Sequence, residues 1–80
     1  MIYIATFYSH FGAIRFKREC KKMQISAEAM PVPRDLSSSC GTCVKFETKK
    51  DISGFTWSLE VEQVVELTSS GYRTHYHIGN

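Results

Sequence analysis

The sequence predicts an α+β domain of the ferredoxin-like kind, β-α-β-β-α-β, with a four-stranded antiparallel sheet and both helices on one face. Three observations carry this. Short runs rich in apolar, β-branched and aromatic residues occur near 2–7, 25–30, 44–48 and 72–78. Between the first two runs, apolar residues recur every three or four positions, as on one face of a helix. A second stretch, 56–69, shows that same spacing and contains neither glycine nor proline.

Each element has its own justification. Residues 2–7, Ile-Tyr-Ile-Ala-Thr-Phe, read as a buried strand. Ser9 is placed to cap a helix running to about Met23, with Gly12 just inside its first turn. Ala13, Phe16, Cys20 and Met23 form its apolar stripe, with Ile14 beside them. Arg15, Lys17, Arg18, Lys21 and Lys22 make the other face basic, relieved only by Glu19. Residues 25–30 alternate weakly, as a second strand. Pro33 removes a backbone donor and holds Val32 extended, so 33–39 is a loop. In the third strand Val44, Phe46 and Thr48 share one face, Lys45 and Glu47 the other. Lys49-Lys50-Asp51 is a polar turn. Phe55, Trp57, Leu59 and Val61 alternate like a strand, while Trp57, Val61, Val64, Val65 and Thr68 fit a helical face. The unbroken length, and Glu60 and Glu62 at the positive end, favour a second helix over 56–69, stopped by Gly71. Residues 72–78 make the last strand.

Composition bounds the possibilities. Eighty residues are read as a single domain over 1–80. A hydrophobic content of 42% and an aromatic content of 12% fit a folded chain rather than a disordered one. The formal charge of +2 is too small to point to nucleic acid. With a basic first helix and Glu60, Glu62 and Glu66 on the second, the surface is expected to divide into basic and acidic strips, suited to protein docking. No apolar run approaches the length of a membrane span. The N-terminus lacks a basic region leading into an apolar core, so a cytoplasmic, reducing location is expected. Three cysteines fit a disulfide framework poorly.

The chemistry concentrates in 33–43. Cys40 is preceded by three serines and followed by Gly41, which lets backbone or substrate approach the sulfur. Arg34, six residues upstream, would favour the thiolate if the loop folds back. Successive backbone N–H groups from Ser38 to Gly41 could form an anion-binding nest. Cys40-Gly41-Thr42-Cys43 is a C-x-x-C, but it runs into a strand. It therefore lacks the helix that lowers the first thiol's pKa in thioredoxin-like proteins. A short-loop disulfide, a resolving role for Cys43 and a plain apolar role for it all stay open. Cys40 and Cys43 with His75 and His77 could form a zinc site, although that spacing matches no standard finger. Cys20 falls on the helix's apolar stripe and reads as core, and His10 reads as a helix-start residue that could lie near the site. No phosphate-cradling glycine loop, Walker pattern or pair of carboxylates at useful spacing is present, and no cofactor is expected.

Pro31-Val32-Pro33-Arg34-Asp35-Leu36-Ser37-Ser38-Ser39-Cys40-Gly41 resembles the central motif of a small bacterial family, DUF3343, of Se/S carrier-like proteins. The Tyr3-Ile4-Ala5-Thr6-Phe7 strand and the early Ser9 belong to the same likeness, which covers nearly the whole chain. The resemblance implies that Cys40 carries sulfur or selenium as a persulfide or selenosulfide. It implies that Arg34 and Ser37, Ser38, Ser39 and Gly41 shape its pocket. The partners would be a cysteine desulfurase-like donor and an acceptor enzyme, so that the chain is a carrier rather than a stand-alone enzyme. That role does not explain Cys43. The alternatives are a protein-docking module whose Cys40/Cys43 pair binds zinc or forms a regulatory disulfide, and a thiol oxidoreductase cycling that pair.

Overall fold

The computed structural model describes residues 1–79. Within them the chain forms β1 (Ile2–Phe7), α1 (His10–Lys22), β2 (Ser26–Pro31), β3 (Thr42–Glu47), a single 3-10 turn (Ile52–Gly54), β4 (Val61–Thr68) and β5 (Gly71–His77). All strand pairings are antiparallel and the order across the sheet is β2-β3-β1-β4-β5.

β1 lies at the centre, which is why its apolar run is buried on both sides. Tyr3, Ala5 and Phe7 face α1 and join Val44, Phe46, Val61 and Val64 in the main core. Ile4 points to the opposite face, where it packs with Cys43 and Val65. The helix begins as its sequence requires: Ser9 is extended, and its Oγ accepts a hydrogen bond from the Gly12 N–H at 3.3 Å. Gly12 allows a close approach at this site. A Cβ there would stand 3.0 Å from Glu60 Cβ and 3.3 Å from Phe7, so its absence lets the helix start lie against the sheet. Ala13, Phe16 and Cys20 point inward as the stripe predicts, while Ile14 and Met23 are exposed.

The expected second helix is absent. Residues 61–68 are β4, a strand paired on both sides, and 71–77 return beside it as a fifth strand through a Ser69-Ser70 turn. Gly71, with φ +122°, serves that hairpin rather than a helix end. The four-stranded, two-helix arrangement is thus corrected to five strands and one helix. The physical reason lies in burial. A strand covered on both faces loses alternation, and Val61, Gln63, Val64, Val65 and Glu66 are all buried. A bulge at Glu62 shifts the phase, which produces a helical spacing by accident.

The crossover from β3 to β4 is made by the irregular segment 48–60 on the helix side. Aromatic contacts hold it: Phe16 meets Phe46 and Trp57 at 5.2 and 6.1 Å between centroids, and Trp57 meets Phe55 and Tyr76 at 5.5 and 6.0 Å. The acidic strip disappears with the helix. Glu60 pairs with Arg15, Glu62 turns to the 33–41 loop, and Glu66 is buried against His75.

Candidate thiol site

The 33–41 loop leaves β2, crosses the end of the sheet and returns into β3. Pro33 opens a turn closed by the Leu36 N–H on the Pro33 carbonyl at 3.0 Å. Val32 and Leu36 cover Ile4, Cys43 and Val65 on the face away from the helix. Gly41, at φ +75°, turns the chain into β3, and its carbonyl accepts from the Val32 N–H at 3.1 Å.

Polar bonds pin the rest of the loop. Gln63 Nε2 donates to the Ser37 carbonyl at 2.8 Å. Ser38 Oγ reaches the Phe7 carbonyl at 3.5 Å. Glu62 does most: its carboxylate accepts from the Ser39 N–H at 3.2 Å, from Ser39 Oγ at 2.7 Å and from Thr6 Oγ1 at 3.3 Å. The extra residue of the β4 bulge is therefore the one that ties the loop. Tyr72 donates to Asp35 at 2.9 Å at the loop's outer end.

The three cysteines occupy different surroundings, all as free thiols. Cys40 alone is partly exposed, since Cys20 and Cys43 are buried. Cys40 packs against the helix-side core, and its Sγ donates to the Thr42 carbonyl at 3.4 Å. Thr42 in turn bonds His10 Nδ1 at 2.9 Å, which joins the start of β3 to the first residue of α1. Cys43 belongs to the opposite face, fully buried, with Sγ 3.7 Å from the Pro31 carbonyl. Burial pushes its pKa up, and the neighbouring Cys40 sulfur adds to the shift.

Several expected partnerships take another form. Of the expected nest from Ser38 to Gly41, the Ser39 N–H meets an anion, and that anion is the protein's own Glu62. Arg34 is exposed on the turn and makes no hydrogen bond or ion pair among the described residues. The zinc arrangement is corrected. Cys43 pairs with Thr6, Thr6 with Gln63 and Gln63 with His77, so two strands separate the cysteine from the histidine. At about 4.8 Å per strand spacing that is roughly 14 Å, far beyond shared coordination. His75 is engaged by Glu66 at 2.7 Å and edges onto Tyr3 at 5.4 Å. No cluster of three or more His, Cys, Asp or Glu that could hold a metal occurs among the described residues.

Glu62, Gln63 and Thr42 make contacts the sequence did not announce. Glu62 and Gln63 were hidden by the helical reading, and a bulge leaves no local signature. His10 next to a capping serine was the one available hint.

No described helix is long and apolar enough to cross a membrane. No curated protein and no solved structure matches this chain. A family model does, over residues 2–66, and its description is "Putative Se/S carrier protein-like". That match takes in the first three strands, most of the fourth, the helix and the entire Cys40 loop, and on it the chain belongs to the Se/S carrier protein-like family.

Proposed function

We propose that the chain carries sulfur or selenium on Cys40, moving it between a cysteine desulfurase-like donor and an acceptor enzyme in a reducing, cytoplasmic setting. The observation that carries this reading is the contrast among the thiols. Within a family described as carrier-like, only Cys40 is accessible, at the end of a loop fixed in place by hydrogen bonds.

The Cys40 thiolate attacks the terminal sulfur of the donor's cysteine persulfide. The donor's S–S bond breaks, its thiolate leaves, and a Cys40 persulfide forms. In the second half an acceptor thiolate attacks that terminal sulfur and the Cys40 thiolate leaves. No external oxidant or reductant is consumed. Gly41 leaves the approach to the sulfur open, and Ser37, Ser38 and Ser39 line the loop that presents it. Arg34 offers an exposed cation to the anionic sulfur of either partner. The buried position of Cys43 supports a structural role over a resolving one.

The test is intact mass spectrometry of the reduced chain after incubation with a cysteine desulfurase and free cysteine. A reductant-sensitive gain of one sulfur on the parent protein, absent in Cys40→Ser and retained in Cys43→Ser, is expected. Loading that survives Cys40→Ser, or fails only in Cys43→Ser, overturns the assignment.

A further inference from the structure

The segment 48–60 spans the helix-side layer without filling it. Between this segment and α1 lies a cavity of about 520 Å³, within the ~300–1,000 Å³ usual for small-molecule sites. Its walls are aromatic and apolar: Phe16, Phe46, Phe55 and Trp57 stand beside Ile25 and Cys20. Burial pushes the Cys20 thiol up to about 11, so that wall is uncharged at neutral pH.

The rim is charged. Arg15, Arg18 and Lys22 follow the spacing of one helix edge and all border the cavity. Glu60 takes Arg15 at 3.5 Å and Glu19 takes Lys22 at 3.3 Å. Arg18 has no carboxylate within ion-pair distance among the described residues. Three cations therefore stand against two carboxylates at the mouth of a ring-lined cleft.

We propose that this cleft binds a small planar anion: an aromatic ring system bearing a carboxylate, sulfonate or phosphate. The rings stack among Phe16, Phe55 and Trp57, and the anionic group meets the Arg18 guanidinium at the rim. Cys40 does not line the cavity, so this site stands apart from the thiol site and from its proposed role.

Trp57 is the chain's single tryptophan and forms part of the wall, which provides a built-in reporter. The probe is 8-anilinonaphthalene-1-sulfonate, titrated into the full chain while energy transfer from Trp57 is followed. Its neutral counterpart, N-phenyl-1-naphthylamine, carries the same rings without the sulfonate. Saturable transfer at one site per chain is expected, with the sulfonate bound about tenfold tighter than the amine, the scale of one charge-assisted contact. The surface variant Arg15→Gln/Arg18→Gln should lose that preference while keeping its urea midpoint, and Cys40→Ser should bind as the parent does. Absence of saturable transfer overturns the proposal. So does equal binding of the neutral amine, which would mark a purely apolar groove suited to a partner's side chain, or a preference that persists in the double variant.

Discussion

Two irregular segments cover the sheet, and they are held by opposite means. The 33–41 loop is pinned by directed bonds from Glu62, Gln63 and Tyr72. The 48–60 segment rests on aromatic contacts from Phe16, Phe46 and Tyr76, with a cavity left beneath it. Hydrogen bonds are directional and individually modest, so they fix position more than they stabilise. Aromatic burial is large and tolerant of direction, so it stabilises while leaving space. The loop that positions Cys40 should therefore be sensitive in reactivity, and the aromatic flank in stability.

The largest expected effect breaks the aromatic side. Phe16→Ala should cost about 3 kcal/mol in urea unfolding, the low end for a truncated phenylalanine because Phe16 is partly buried, while the alkylation rate of Cys40 in the still-folded protein stays near the parent value. A large rise in that rate would show that the two regions are coupled. The next effect is one of pH. A thiol whose pKa is raised on folding favours the native state as long as it stays protonated. The contribution of Cys20 is therefore complete below its ordinary 9.0 and fades as pH climbs through about 11. At ~1.4 kcal/mol per pKa unit the parent should lose roughly 2 kcal/mol more than Cys20→Ala across that window. Parallel profiles for the two proteins would remove Cys20 as the cause. The smallest effect on stability should come from the polar side. Glu62→Ala should cost only about 1 kcal/mol, yet raise the alkylation rate of Cys40 several-fold as Ser39 is released. An unchanged rate would mean that the loop holds its shape without the carboxylate.

These contrasts also explain what could be read in advance. The elements from β1 to β3 follow local rules: an apolar run, a serine cap, a 3.6-residue stripe and an alternating strand. Each rule is satisfied within a few residues. β4 obeys a different logic, because its burial comes from neighbours on both sides and its phase is broken at Glu62. Both depend on chain distant in sequence. At the site, Cys40 and its loop were legible from composition. The clamp was not, since it joins Ser39 to a residue more than twenty positions away. The same limit hid the separation of His77 from Cys43, which only the strand order reveals.

The placement of Cys40 and Cys43 on opposite faces has a consequence for any cargo held on sulfur. A persulfide beside a second free thiol short-circuits: the neighbour attacks, the cargo leaves as sulfide and an internal disulfide remains. Three residues apart in sequence, these two sulfurs are natural candidates for that leak. Here the two sulfurs belong to different clusters: Cys40 is partly exposed against the helix-side core, and Cys43 is sealed against Ile4 and Val65. For a Cys40 that carries sulfur as proposed, the burial of Cys43 would supply insulation rather than activation.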